Sequence, residues 1–235
     1  MSMMKHYGKK FKKIKNLLKK DDPIIVEVGA HYGEDTLRFV EVFPKLKIYC
    51  FEPDTRNINI FKKIVKSSNV YLIEKAVSNK TGHAEFYSSY SEYTDKQPPS
   101  KYDFIPINDY NRYMLHNSGA SSLKKGYKKC LSTKNVVETV RLDMWLKSNL
   151  INYIDFMWID VQGGEFEVID GLGSQVKQIH YLWIEYGELF YNGAMDRSQT
   201  ISLLAEKGFE LLHEYSDTGS QGDLLFINRN YVGFH

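Results

Sequence analysis

Two segments of this chain place acidic side chains at the ends of apolar runs, beside glycines. One is Ile24-Ile25-Val26-Glu27-Val28-Gly29-Ala30-His31-Tyr32-Gly33. The other is Ile154-Asp155-Phe156-Met157-Trp158-Ile159-Asp160-Val161-Gln162-Gly163-Gly164-Glu165. A short apolar run that stops at a glycine turn reads as a buried parallel strand feeding a helix. In an open α/β sheet, ligands bind outside the carboxyl ends of such strands. Carboxylates in that position can hold hydroxyls or cations, or move protons. Two acid-tipped strands in one chain imply a cofactor site with a reaction site beside it.

The glycines of Glu27-x-Gly29-x-His31-x-Gly33 let the backbone take positive φ and approach a ligand closely. The helix that follows offers unpaired N–H groups and a positive field. A pyrophosphate-binding turn would read Gly-x-Gly-x-x-Gly, whereas here the glycines stand four apart and an acid precedes them. That acid repels phosphate and suits a cationic ligand, such as the amine or sulfonium of S-adenosylmethionine. Glu52 closes the next strand. An acid there accepts the ribose hydroxyls of an adenosine, in NAD or in S-adenosylmethionine, or caps the helix at Thr55. Glu27 and Glu52 together favour the sulfonium cofactor over an NAD(P)-dependent oxidoreductase.

At the other end, Asp160, Glu165 and Glu185 fall near the carboxyl ends of the fourth and fifth strands of the sheet. A carboxylate in hydrogen-bond reach of an alcohol can take its proton while a methyl group is transferred to the oxygen. Asp160 and Glu185 could instead share a divalent metal, Mg or Mn, which would acidify the acceptor. Glu165 also suits a helix start. His31 and His213 are the bases that would work near neutral pH.

The elements that must position these groups alternate regularly. Strands are expected at 24–28, 46–51, 70–73, 154–159 and 179–185. Helices are expected at 34–43, 55–67, 165–170 and 198–207. This alternation predicts an α/β fold with a mostly parallel sheet. Two last strands, 209–215 and 223–228, are joined by a glycine-rich turn, so one of them must run antiparallel. Between residues 74 and 140 the rhythm breaks. A hairpin is expected from 75–78 and 83–87, a strand at 136–142, and a helix at 144–149 capped by Asp143. An insert at 88–135 carries most of a set of tyrosines: Tyr87, Tyr90, Tyr93, Tyr102, Tyr110, Tyr113 and Tyr127. Their flat faces, set among hydroxyl and amide groups, suit a sugar over the carboxyl end of the sheet; they could equally anchor the loop.

With 235 residues, 43% hydrophobic and 26% charged, the chain has the material for one large packed domain. The division expected is a basic helix at 1–22 and one domain at 23–235. Cys50 and Cys130 lack metal-site spacing, which points to a reducing, cytoplasmic setting without structural zinc. No apolar run approaches the roughly 20 residues of a membrane span, and no apolar stretch follows the basic start as a secretory leader would. Eight of the 31 basic residues are lysines within residues 1–20, which leaves 23 bases against 29 acids elsewhere. An acidic body of this kind is not a nucleic-acid-binding surface. Phe11, Ile14, Leu17 and Leu18 share one helical face, which should dock on the domain edge with the lysines in water. The alternative is contact with an anionic polymer or membrane surface.

Beyond these local readings, the chain resembles the FkbM family of S-adenosylmethionine-dependent methyltransferases. The matching stretches are VEVGAHYGEDT (26–36), YCFEPD (49–54), EKAVSNKTGHAEFY (74–87), SGASSL (118–123), RLDMWL (141–146), IDFMWIDVQGGEFEVIDG (154–171), WIEYG (183–187) and DLLFINR (223–229). The resemblance implies the Rossmann-like, seven-stranded class I methyltransferase sheet and O-methylation, often of sugar or polyketide hydroxyls. It further implies that Glu27, Gly29, His31 and Gly33 line the methionine end of the cofactor, that Glu52 holds the ribose, and that Ala76 and Val77 flank the adenine. Asp160 would lie beside the sulfonium and the acceptor. The family usually has Lys where this chain has Trp158, Glu and Ala at Gln162 and Gly164, and Thr at Arg141. The expected activity is methylation of a hydroxyl on a sugar, nucleotide-sugar or glycan acceptor. A cofactor-binding module without turnover, serving a partner through its basic N-terminus, is the competing class.

Overall fold

A computed structural model describes residues 2–90, 117–126, 131–187, 191–216 and 220–232, with side chains described from residue 10 onward and not at residue 216. Along the chain run β1 (Ile24–Val28), β2 (Lys47–Phe51), β3 (Val70–Ile73), β4 (Ala76–Val77), β5 (Gly82–Tyr90), β6 (Leu131–Val140), β7 (Ile154–Ile159), β8 (Ile179–Gly187), β9 (Phe209–Ser216) and β10 (Gln221–Asn228). The helices are α1 (Ser2–Leu18), α2 (Glu34–Val42), α3 (Thr55–Ile64), α4 (Leu142–Ser148), α5 (Glu165–Gly171) and α6 (Arg197–Glu206).

Seven strands pair in the order β3-β2-β1-β7-β8-β10-β9. Neighbours from β3 to β8 are parallel, and β10 runs antiparallel to both β8 and β9. This is the expected Rossmann-like methyltransferase sheet with its C-terminal antiparallel pair. Strand order reverses between β1 and β7, the place where an open sheet forms a crevice at its carboxyl edge.

The side-chain period of two splits each central strand between two cores. Val26, Val28, Met157, Ile159, Leu182 and Ile184 pack toward α4, α5 and α6. Ile25, Phe156, Trp158 and Trp183 pack toward Phe11 and Ile14 of α1, Phe39 of α2 and Phe61 of α3. The apolar face of α1 therefore docks as expected. Its lysines are not all in water, because Lys10 is drawn beneath the helix onto two indole rings.

Several local expectations are corrected. Residues 75–78 and 83–87 do not form a hairpin, because β6 lies between β4 and β5 in a separate three-stranded sheet. β4 pairs β6 in parallel and β5 pairs it antiparallel, and Thr139 is the partner of both Ala76 and Gly82. A turn at Thr81-Gly82 reverses the chain without fixing which strand fills the gap. β6 starts five residues earlier than the strand expected at 136–142, and β5 runs on to Tyr90, so both strands enter the 88–135 insert. The helix after β6 starts at Leu142 with Arg141 at its cap position, and Asp143 sits in the first turn, accepting from the Met144 N–H at 2.7 Å. α3 stops at Ile64 because Val65 turns to extended backbone.

Candidate active site

The site begins where β1 and β7 end side by side. The Asp160 N–H donates to the Val28 carbonyl at 3.0 Å, holding the two turns together. Gly29 has φ +90, and a Cβ there would stand 1.8 Å from the Asp160 carbonyl oxygen. Glycine at this position is thus a demand of both backbone angle and space. Gly33 has φ +87 and a Cβ there would strike Phe61 and Val65, so it fits α2 against α3 and does not touch ligand space.

A cavity of about 520 Å³ runs along this edge, a size that suits a nucleoside-bearing cofactor with room for an acceptor. Glu27, Gly29, His31, Glu52, Ala76, Val77 and Asp160 line it, as does Gln162. Gly33, Glu165 and Glu185 lie behind its wall.

Glu27 is 1% exposed and accepts from Thr36 Oγ1 at 2.5 Å and Cys50 Sγ at 3.3 Å, both at Oε2. Burial pushes its carboxyl well above the ordinary range, and the neighbouring Asp35 and Glu34 charges add to the effect. Glu52 accepts from the backbone N–H groups of His31 (2.9 Å) and Asp54 (2.8 Å) and from Asn57 Nδ2 (3.3 Å). Burial raises it to about 7, despite those donors. A cation or a pair of ribose hydroxyls beside these carboxyls favours their charged forms. The donor set therefore fits a ligand with a positive group and vicinal hydroxyls, as S-adenosylmethionine has.

The insert closes over this edge through residues 117–126. His31 Nδ1 lies 2.8 Å from Glu34 Oε1 and Nε2 lies 2.9 Å from Ser118 Oγ. The Tyr32 hydroxyl meets the same serine oxygen. Ser121 Oγ reaches Asp54 at 3.3 Å, and Ser122 Oγ donates to the Gln162 carbonyl at 2.6 Å. Tyr93, Tyr102, Tyr110, Tyr113 and Tyr127 lie outside the described residues. Tyr87 and Tyr90 sit on β5, and Tyr87 bridges to Ser122 through its backbone. His213 lies away from the cavity, on β9 beside Tyr215, with burial and Lys13 lowering its affinity for a proton.

Asp160 and Glu185 are brought together by Gln162, whose Nε2 donates to Asp160 Oδ1 at 2.6 Å and Glu185 Oε2 at 2.7 Å. The Tyr191 hydroxyl donates to Gln162 Oε1 at 3.0 Å and fixes the amide's orientation. Burial, with the Asp160 and Glu165 charges, pushes Glu185 well above the carboxylate range. Glu165 accepts at Oε1 from the N–H groups of Val161 (3.3 Å) and Gly163 (3.1 Å), so it braces the turn that carries Gln162. Burial raises it to about 7. The amide nitrogen between Asp160 and Glu185 is a donor set where a cation would need an acceptor. Among the described residues, no group of three His, Cys, Asp or Glu is placed to hold a metal. This arrangement does not fit the Mg or Mn site expected on Asp160 and Glu185.

The sequence reading missed Gln162 as a bridge, Tyr191 and Ser118. Gln162 sits between an acid and two glycines, a signal that marks a turn and not a partner. The others come from distant segments and carry no local pattern.

Residues 27–211 match the model of the Methyltransferase FkbM domain. The chain belongs to the FkbM methyltransferase family. It is also 30% identical over 221 residues to the 2-O-methyltransferase NoeI of Sinorhizobium fredii (strain NBRC 101917 / NGR234), spanning 92% of this chain and 84% of NoeI. Among solved structures, Aeropyrum pernix fibrillarin with natively bound S-adenosyl-L-methionine is similar with a TM-score of 0.49 and 11% identity, over 88% of this chain and 67% of that one. The N-terminal domain of EvdMO1, in the presence of SAH and D-fucose, also gives 0.49 and 11%, over 94% and 81%. The FkbM match starts at Glu27 and so leaves α1 outside it. No helix among the described residues is long and apolar enough to cross a membrane.

Proposed function

We propose that this FkbM protein is an S-adenosylmethionine-dependent O-methyltransferase that acts on a hydroxyl of a sugar or glycan. The observation that carries the reading is one continuous cavity with Glu27 and Glu52 along its length and Asp160 on its wall. The similarity to a 2-O-methyltransferase supports oxygen as the acceptor. Polar groups along the cavity support an acceptor rich in hydroxyls: Asp35, Arg38, Asp160 and Gln162 line it.

When bound, S-adenosylmethionine supplies an electrophilic methyl group. Glu27 would pair with its charged end, Glu52 would accept from its ribose, and Ala76 and Val77 would pack on the adenine. Gly29 keeps the β1 turn clear of the β7 turn, so that Asp160 stays beside the cofactor space. Asp160 accepts the proton of the acceptor hydroxyl. Burial and the neighbouring Asp160 charge raise Glu185 well above the ordinary carboxylate range, which disfavours a second charge beside Asp160. Gln162 spans both carboxyls and sets the direction of Asp160. Glu165 holds the turn beneath them.

The test is a methyl-transfer screen over nucleotide sugars and oligosaccharides, with and without chelator. Transfer to a sugar hydroxyl that survives chelation is the expected result. Tight NAD(P) binding with no response to S-adenosylmethionine would overturn the reading. Cofactor binding with no transfer to any sugar would favour another hydroxyl or a module without turnover. Loss of transfer on chelation, restored by magnesium or manganese, would reinstate the metal.

A further inference from the structure

Lys10 lies outside the stretch matched to the family and has no part in the site as described so far. Its ammonium is 4.1 Å from the centre of the Trp158 ring, 4.0 Å from that of Trp183, and 3.0 Å from Asp223 Oδ2. The two indoles stack on each other with ring centroids 5.1 Å apart. The lysine side chain is only 14% exposed. Taking an ammonium out of water is costly unless the charge is met, and filling the space under α1 would need only a Met or Leu.

What the charge meets is a row of acids. Trp183 and Glu185 are two residues apart on β8, and residues at that spacing share a face of the sheet. Asp223 is the register partner of Glu185, and directly opposed residues also share a face. Two neighbouring strands, β8 and β10, therefore carry Glu185 and Asp223 toward the face that α1 covers, and Gln162 ties Asp160, one residue past β7, to Glu185. Among the ion pairs of the described residues, the one that reaches this row is Lys10 to Asp223. The other charged or titratable groups around it are Asp35 and Arg38 of α2, paired at 2.8 Å, Glu165 of α5, Lys13 over Tyr215, and His213 of β9.

We infer that Lys10 is a positioning residue of the methyl-transfer site. Its ammonium, seated on Trp158 and Trp183, balances through Asp223 the carboxyl row that ends at Asp160. α1 is then part of the catalytic unit. The inference rests on Asp160 being the acid at the reacting end.

The experiment uses the full chain without ligand and follows Asp160, Glu185 and Asp223 by carbon-13 carboxyl NMR from about pH 4 to about pH 10. Lys10→Met should move the Asp223 and Glu185 titrations up, Asp223 by about one pH unit, the effect of removing a close opposite charge. Lys10→Arg should leave them near their wild-type positions. Asp223→Asn removes a like charge from the row and should move the remaining pair in the opposite direction. If Lys10→Met fails to fold, Asp223→Asn alone decides. Titrations of Asp223 and Glu185 that stay put in the folded variants, or an Arg substitution that fails to restore them, would make Lys10 a packing residue and overturn the inference. A parallel calorimetric titration with S-adenosylmethionine and S-adenosylhomocysteine keeps the two readings apart. Absence of binding by the wild type counts against the proposed function, while the carboxyl titrations report on Lys10 in either case.

Discussion

Burial outweighs every donor around Glu27 and Glu52, so both carboxyls bind protons more tightly than an ordinary glutamate does. A cationic ligand reverses that balance, so binding should release protons. Affinity for S-adenosylmethionine should therefore strengthen as pH rises through about 7, where Glu52 titrates. Calorimetry in buffers of differing ionisation enthalpy would show the release, and an affinity indifferent to pH would contradict it. Glu52→Ala should weaken binding by about 1.5–3 kcal/mol, the size of lost charge-assisted hydrogen bonds. Asp160 is a separate case. Asp160→Asn keeps the hydrogen-bonding shape beside Gln162 and removes the base, so turnover should drop about 10²-fold or more with the melting temperature nearly unchanged. A large loss of stability with normal turnover per folded molecule would make Asp160 structural.

At the scale of elements, the described part of the insert belongs to the site. Residues 117–122 form part of the cavity wall and are tied to α2 and α3 ends through His31, Tyr32 and Asp54. Removing the whole of 88–135 would take away strand residues and cofactor wall together. Replacing 91–116 alone with a short linker should spare cofactor affinity and change or abolish transfer to the acceptor. Ser118→Ala leaves His31 without that contact, and should weaken cofactor binding by about 1 kcal/mol. Equal affinities for wild type and Ser118→Ala would show that the wall holds without this tie.

The whole molecule carries a stability cost for these buried acids. Glu52 and Glu165 titrate near 7 in the folded chain against an ordinary value of 4.5, and Glu27 and Glu185 are also raised. Between those two pH values the folded state binds more protons than the unfolded one. Stability must then fall as pH rises from about 4.5 through about 7, by on the order of 3 kcal/mol for each of Glu52 and Glu165. Melting temperatures of the ligand-free protein should decline over this window. Glu165→Gln, which keeps an oxygen for the Gly163 N–H, should flatten the decline. A melting temperature that climbs steadily to pH 8 would contradict the argument. Bound cofactor should offset part of the loss by pairing Glu27 and Glu52.

Several features of this protein follow from its sequence alone. Apolar runs such as Ile24–Val28 and Ile154–Ile159 are long enough for strands and too short for helices, and each ends at glycines, so the sheet and its acid-tipped edge could be read directly. Glu27, Glu52 and Asp160 were legible because local chain chemistry places a residue at a strand end. Burial then needs no knowledge of the partner segment. The tertiary structure decided which strands became neighbours and which distant groups met. Backbone hydrogen-bonding capacity is the same along every strand, so nothing local says that β6 comes between β4 and β5. Side chains such as Gln162, Tyr191 and Ser118 gain their meaning from partners dozens of residues away. Lys10 shows the difference most clearly. As one of eight lysines in residues 1–20 it reads as a solvated charge. Only the packing of α1 on Trp158 and Trp183 turns it toward Asp223, because a helix face is fixed by what it buries and not by the charges it carries.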